Sequence, residues 1–483
     1  MTATEEPTTN ITGLAGARVL VLNWRDVRHP QAGGAEQYMH EISRRWRAAG
    51  VDVTWFTARP AGQPAYEELD GIPTFRAGSD LSLYPRTAAQ LLRTRGRFDA
   101  VVDCQNGIPF FSPLFAGQGV PVVQLVHHVH QDQFATRFGP VVAGLGRLLE
   151  RNVARIVYGR RAIAAVSPST RTELRHRLGF RGPIFVVPNG TDTLPAGVRQ
   201  RAERPTLVLV SRLVPHKRVD LLVGQLATAA EQVPGLAVHI IGDGPERSRL
   251  QGLVADLALQ DTVTFHGRLP DAQRDELLSR AWVTTSTSAA EGWGCSVIEA
   301  AAWGVPCLAL RAPGIRDSIL DGETGWLVER ASDFGPALVR AMRELSSDPR
   351  AAEVAAACQD WARCFTWDRS AELLAGVVLD QLQSARAAAN RRSARSDMAV
   401  LADFRRPADA ELRSLLRPTD EVVVTGDHAS VVLNGCDEFD ATTVLGRLGA
   451  ADPTLRLIDR RELLAGPAAP PPGQSTTLLA GLT

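Results

Sequence analysis

Lysine is almost missing from this 483-residue chain: Lys217 is the one lysine among 53 basic residues, and the rest are arginine. Net charge is missing too, because 53 acidic residues balance the basic ones; no global field draws the chain to nucleic acid or membrane, and any anion site must be local. The six cysteines (Cys104, Cys295, Cys307, Cys358, Cys364, Cys436) contain no Cys-x-x-Cys pair. That pattern indicates neither a disulfide framework nor zinc, and fits reduced thiols in the cytoplasm. No apolar run approaches the roughly eighteen residues that a spanning helix needs, and the acidic, Thr-rich first sixteen residues have no apolar core of the kind a leader carries. A Walker-type P-loop is absent as well. In Ile240-Ile241-Gly242-Asp243-Gly244-Pro245, a strand runs into a Gly loop, but Arg247 stands where the dinucleotide fingerprint needs its last glycine, which disfavours a standard NAD site.

What remains is an ordinary globular composition, 45% hydrophobic and 22% charged, in a length that suggests two or three domains. From Ala17 strand-like and helix-like segments alternate: Val19 to Leu22, the Gly33-Gly34 turn, a helical pattern from Glu36 to Ala49, then strands at Val51 to Phe56, Ala100 to Cys104 and Val120 to Val126. Regular βα alternation predicts a parallel, doubly wound α/β sheet. A polar stretch from Thr193 to Pro205 reads as an interdomain linker. The alternation restarts at Thr206 to Val210, with strands near Ala237 to Ile241, Val263 to His266, Val283 to Ser286 and Cys307 to Leu310. A long helical segment from about Ala351 to Ala385, interrupted at Cys364-Phe365-Thr366-Trp367, follows. Residues 1–16 are expected to lack structure, 17–195 and 204–365 to form two Rossmann-like domains, and 389–483 to be an extension of unassigned role. That extension holds one credible strand, Glu421 to Thr425, and a Pro-rich disordered stretch from Pro467 to Gly473.

Two nucleotide-type sheets predict a ligand in the cleft outside the carboxyl ends of their strands. Lys217 lies five residues after Arg212, and the pair suits a diphosphate: arginine offers a planar fork, lysine a point charge on a thin stem. In Glu291-Gly292-Trp293-Gly294-Cys295-Ser296-Val297-Ile298-Glu299 the glycines let the backbone approach a ligand, and the apolar run from Cys295 opens a helix whose first N–H groups face an anion. Glu299, about one turn into that helix, has the reach to accept from both hydroxyls of a ribose, and Glu291 on the loop to hold a sugar hydroxyl. As isolated residues the two acids would instead be a dipole-complementing first-turn glutamate and a solvated loop charge.

Gly33-Gly34-Ala35-Glu36, Asn189-Gly190-Thr191-Asp192, Ser211-Arg212-Leu213 with Lys217, Gly242-Asp243-Gly244-Pro245 and Glu291-x7-Glu299, in this order, resemble glycosyltransferase family 4 over roughly Ala17 to Gln383. The resemblance implies a GT-B fold, with an N-terminal acceptor domain, a C-terminal nucleotide-sugar domain and a helix at about 366–388 crossing back to the first. It implies a retaining, metal-independent transferase without cofactor, acting on a nucleotide sugar and a glycan or lipid-linked acceptor. Arg212 and Lys217 would bind the donor diphosphate, Glu299 the ribose, Glu291 the transferred sugar, and Gly33 and Gly34 the region of the distal phosphate. Gly242, Gly292, Trp293, Gly294, Cys295 and Ser296 complete the expected donor site. Trp293, where Phe is common, and Ser211, where Gly is common, depart from the family pattern and bear on the donor sugar.

Leu125-Val126-His127-His128-Val129-His130 ends a strand of the first half and holds three of the ten histidines. The resemblance points to His127 as lining the donor sugar, with His130 second; His128 reads as a structural, hydrogen-bonded histidine. Zinc is the rival for the triplet, but only Asp132 adds a ligand type nearby. With His127, Arg212, Lys217 and Glu291 as the catalytic set, a same-face displacement assisted by the leaving phosphate is the implied mechanism. A glycosidase-type pair of Glu291 and Glu299, a GT-B epimerase or phosphorylase, and a non-catalytic nucleotide-sugar module are the alternatives. Finally, Gly146 to Arg161 sets Arg147, Arg151 and Arg155 at i, i+4, i+8 beside Leu145, Leu149, Val153, Ile156 and Val157. Such a helix either lies on the inner face of an anionic membrane or packs its apolar stripe on the chain's own core, the reading favoured here because any surface helix carries one stripe.

Overall fold

The computed structural model describes residues 10–79, 82–134, 139–192, 201–389, 398–407, 412–416, 420–434 and 436–459. Short β-branched runs too brief for helices build the first sheet: β1 (Arg18–Leu22), β2 (Asp52–Thr57), β3 (Tyr66–Leu69), β4 (Ile72–Arg76), β5 (Ala100–Gln105), β6 (Val122–Val126), β7 (Ile163–Ala165) and β8 (Ile184–Val186). Their order is β3-β4-β2-β1-β5-β6-β7-β8, parallel except for the antiparallel β3–β4 edge, whose tight turn uses Asp70 and Gly71, both at positive φ. Every residue of β5 and β6 is buried, as parallel strands covered on both faces require.

The second sheet, β9 (Thr206–Val210), β10 (Ala237–Ile241), β11 (Val263–Gly267), β12 (Val283–Ser286), β13 (Cys307–Leu310) and β14 (Gly325–Val328), is wholly parallel in the order β11-β10-β9-β12-β13-β14. These are two Rossmann-like halves of a GT-B fold. The helical segment beyond them breaks where Cys364 to Thr366 interrupt it, giving helices Asp348–Arg363 and Trp367–Ala389. The second crosses back onto the first sheet: the Trp46 indole donates to the Ala371 carbonyl (3.0 Å) and Ser370 Oγ to the Pro188 carbonyl (2.7 Å). Gly190 permits this crossing, because a methyl group there would run into the Trp367 backbone. The expected linker falls partly outside the described residues, at 193–200, and the Pro-rich stretch falls wholly outside them.

Three expectations need correction. Residues 10–16 are not without structure: Asn10–Gly13 forms a helical turn, the backbone N–H groups of Asn10 and Ile11 donate to Glu372 on the crossover helix, and Leu14 is buried. The extension holds far more than one strand. In it β15 (Met398–Arg405), β16 (Glu421–Thr425), β17 (His428–Asn434) and β18 (Ala451–Asp459) form an antiparallel sheet ordered β16-β17-β15-β18, which with the Glu438–Leu448 helix encloses its own core around Val400, Phe404, Val431 and Leu445. Arg171 ties this module to the first half through Asp437 (2.7 Å) and Asp440 (3.3 Å), and Arg369 on the crossover helix through Glu438 (3.4 Å).

The third correction concerns the basic amphipathic segment. Residues 140–158 are helical throughout, with one π turn at Leu149–Val153. The face turned to the core is not the large apolar stripe but Ala143, Gly146, Glu150, Ala154 and Tyr158. Phe134 lies against Gly146 so closely that any Cβ would meet its ring, so this helix approaches its core through small residues and Tyr158. Val141, Val142, Leu145, Leu148 and Ile156 are left outside, and Leu149, Val153 and Val157 are half-buried.

Candidate active site

Two helix N-termini, one from each half, meet at the seam between the sheets. After β1 the chain reaches the Gly34–Ala48 helix, where Glu36 Oε2 accepts from the Gly33 N–H (2.8 Å) and satisfies that donor at the helix start. After β12 it reaches the Cys295–Ala302 helix, entered through Gly294 at φ 109°, a conformation that favours glycine. A Cβ on Gly34 would lie 3.2 Å from Cys295 Sγ, so the unsatisfied first N–H groups of both helices converge on one region.

The β9 loop brings the basic pair. Gly242 (φ 128°) and Gly244 leave no room for a Cβ beside the Ser211 and Leu213 carbonyls, so these glycines pack the two strand ends of one sheet together. Gly242, expected at the donor site, lies against the Ser211 carbonyl of the neighbouring loop. Pro215–Lys217 forms a single 3-10 turn, and Arg218 adopts φ 50° to start the next helix. Thr287 Oγ1 donates to the carbonyls of Lys217 (3.0 Å) and Arg218 (2.9 Å), and the Ala289 N–H to that of His216 (3.0 Å), which fastens this turn to the loop carrying Glu291. The Lys217 ammonium pairs with Glu291 Oε1. Burial pushes the Glu291 carboxyl up, but Lys217, Ser288 and His216 outweigh it and hold the group below the usual carboxylate range. Arg212 is exposed, in the field of Glu36 from the other half.

Glu299 is half-buried, one turn into its helix. Burial pushes its carboxyl up against the opposing pull of Arg274, and Asp275, Asp271 and Asp192 add to the push. The two glutamates, assigned to different parts of one ligand, thus differ in environment as well as position. Burial also drives the Cys295 thiol up to about 12, with Glu299 and Glu291 adding, so no thiolate nucleophile forms at neutral pH. Trp293 needs correction as a ligand-facing residue: its ring is buried against Phe365, centroids 4.9 Å apart, and supports the loop from behind. Gly292 reaches the other half: a Cβ there would run into the His127 carbonyl oxygen, and Thr170 Oγ1 donates to the Gly292 carbonyl (3.4 Å).

The histidines following β6 line the same seam. His127 stacks edge-on against Tyr38 (5.1 Å), and its Nε2 is buried with no hydrogen-bond partner. His128 departs from its expected structural role. Its Nδ1 is also buried and unpartnered, and its titration is moved by Glu291, His216 and Lys217 from the opposite half. Burial first and His130 second push both imidazoles down to about 3, so both are neutral. The His130 N–H donates to Glu150 Oε1 (2.7 Å), and Gln131 Nε2 to Glu150 Oε2 (2.6 Å), so a fully buried glutamate holds this loop. His128, His216 and Glu36 are the residues that motif spacing alone did not assign to the site; the doubled histidine at a strand end was the available signal. Below the seam, Asp317 Oδ2 accepts from the Ser169 N–H (2.9 Å) and Arg316 Nε donates to Ser169 Oγ (3.1 Å), joining the halves directly. Among the described residues no three His, Cys, Asp or Glu side chains are grouped as a metal site, and no helix is long and apolar enough to cross a membrane.

Comparison with known proteins bears on this geometry. The family model for Glycosyltransferase Family 4 matches residues 32–193, and the model for Glycosyl transferases group 1 matches 191–363. A GDP-mannose-dependent alpha-(1-6)-phosphatidylinositol monomannoside mannosyltransferase of Mycolicibacterium smegmatis is 31% identical over 54% of this chain and 63% of its own length. A D-inositol 3-phosphate glycosyltransferase of Acidothermus cellulolyticus is 29% identical over 75% of this chain and 89% of its own. The sucrose-phosphate synthase structure from Thermosynechococcus elongatus superposes with a TM-score of 0.61 at 21% identity, covering 74% of this chain and 96% of that one.

Proposed function

The chain belongs to glycosyltransferase family 4, and from that premise we propose that it moves a hexosyl group, of mannosyl or glucosyl type, from a nucleotide sugar to a glycan or lipid-linked acceptor with retention and without a metal. The observation that carries this reading is the Lys217–Glu291 ion pair at the point where two helix N-termini converge. Departure of the nucleoside diphosphate builds negative charge on its distal phosphate. Arg212, Lys217 and the first N–H groups of the Cys295–Ala302 helix supply fixed positive potential there. Lys217 is already oriented by Glu291, whose ionised carboxylate faces the sugar; Glu299 accepts from the ribose hydroxyls.

Neutral His127 and His128 offer unpartnered ring nitrogens to sugar hydroxyls, and Gly33 and Gly34 open the backbone toward the distal phosphate. The acceptor oxygen bonds to the anomeric carbon as the bond from that carbon to the phosphate oxygen breaks on the same face, and the acceptor proton passes to the leaving phosphate; Cys295, held as a thiol, takes no part as a nucleophile. Relatives named for GDP-mannose and for phosphatidylinositol-linked or inositol-phosphate acceptors support a mannosyl donor and an inositol-containing acceptor. A hydrolytic carboxylate pair is the second reading, favoured by the opposite shifts of Glu291 and Glu299.

Thermal unfolding of the full chain with GDP-, UDP- and ADP-sugars tests the proposal. One nucleotide series should stabilise the protein, by about 2.7 kcal/mol at a hundred times its Kd. Stabilisation by none overturns the reading, and rapid donor turnover without acceptor favours hydrolysis.

A further inference from the structure

We propose that the helical segment 140–158 is a docking surface for an anionic lipid bilayer. Its outward face exposes Val141 (84%), Val142, Leu145, Leu148 and Ile156 (80%), while the inward face is Ala143, Gly146, Glu150, Ala154 and Tyr158, with Leu149, Val153 and Val157 half-buried beside it. A surface helix normally buries its large apolar side chains. This one presents five of them to solvent, and the spacing 141, 145, 148, 156 aligns four of these along one stripe. Arg147, Arg151 and Arg155, all exposed, form the adjacent row. Between residues 139 and 161 the chain holds five arginines and one acid, Glu150, whose carboxylate is turned inward onto His130 and Gln131. An apolar stripe beside a row of exposed arginines matches the interface of a bilayer with anionic headgroups, where the arginines meet phosphates and the aliphatic chains enter the acyl boundary.

The same helix joins this surface to the chemistry. Glu150 holds the loop that follows His127 and His128, so the outward face touches lipid while the inward face fixes one wall of the seam. Resting on the transferase reading above, the surface brings a lipid-linked acceptor to the cleft of the first half.

Flotation of the full chain with vesicles of phosphatidylcholine alone, and of equal parts phosphatidylcholine and phosphatidylglycerol, tests the proposal. The protein should float with the anionic vesicles at low salt and lose most of that binding at high salt. Two triple variants divide the surface: Arg147→Gln, Arg151→Gln and Arg155→Gln should weaken binding by about fivefold per arginine, on the order of a hundredfold together. Val141→Gln, Leu145→Gln and Ile156→Gln should lower binding at every salt concentration. Both sets of residues are exposed, and nucleoside diphosphate affinity, measured on the same preparations, should be unchanged. Failure of the wild type to float with anionic vesicles at low salt, or equal flotation of all three proteins, overturns the inference. So does a wild-type dimer in light scattering that the apolar variant alone abolishes. Nucleotide binding with no flotation removes the docking surface but leaves the transferase reading; loss of nucleotide binding by the wild type strikes the latter alone.

Discussion

Lys217 and Glu291 come from different loops of one sheet and form an ion pair in the seam between the halves, the one ammonium side chain of the chain against an acid that it keeps ionised. An ammonium meets one carboxylate oxygen and keeps two donors for a phosphate, whereas a planar guanidinium in the same space would take both carboxylate oxygens and fill it.

Lys217→Arg should therefore be a damaging change although it preserves charge. Transfer is expected to lose about 2–4 kcal/mol of transition-state stabilisation, the scale of a lost oxyanion donor, with thermal stability little altered. Steady-state kinetics beside a melting curve checks it; near-normal turnover would remove Lys217 from the diphosphate site.

Glu299→Ala should weaken binding of the free nucleoside diphosphate by about 1.5–3 kcal/mol, because the ribose contact is lost. Glu291→Ala should leave that affinity nearly intact and lower the transfer rate. Calorimetric titration of both variants separates the roles, and equal losses of affinity would mean that the residues do not divide the donor.

At Gly292 the absent side chain sets the distance between the halves. Gly292→Ala drives a methyl into the His127 carbonyl, which is backbone and has no rotamer to escape by. A stability loss of about 1–3 kcal/mol is expected, with a larger proportional loss of transfer. Retention of full activity would show that the seam opens without consequence.

The two buried imidazoles predict an acid-side weakness. Their folded pKa of about 3 lies below the unfolded value near 6.5, so the unfolded chain alone binds protons in that interval. Stability is held above pH 6.5 and falls as pH drops toward 3, by at most about 1.4 kcal/mol per pH unit for each histidine. Denaturant titrations between pH 7 and 4 should show a shallower slope for His128→Gln; an unchanged slope would mean His128 is charged in the folded chain.

Motif spacing could group candidate residues that share a segment, as Glu291, Gly292 and Glu299 share one strand-loop-helix unit and Arg212 and Lys217 one loop. Local geometry carries such information. His128 was misjudged because its environment comes from the opposite half, and Trp293 because a loop aromatic beside glycines looks the same whether it faces ligand or core.

The sequence by itself determined the parallel centres of the two sheets, β1, β2, β5 and β6 and then β9 to β13, through short continuous apolar runs, and the break of the long helix before Trp367; the short strands β3, β4, β7, β8 and β14 carried no such signal. The expectation of an anion site rests on local facts as well, glycine loops before helices and one retained lysine. Only the tertiary structure decided which face of the 140–158 helix is buried, because small residues face Phe134 and Glu150 is wanted by a distant loop, and periodicity cannot distinguish that from an ordinary apolar stripe. It alone decided the C-terminal module, whose strands pair antiparallel across intervening residues, and the Lys217–Glu291 contact, where residues 74 positions apart meet once β9 and β12 lie side by side.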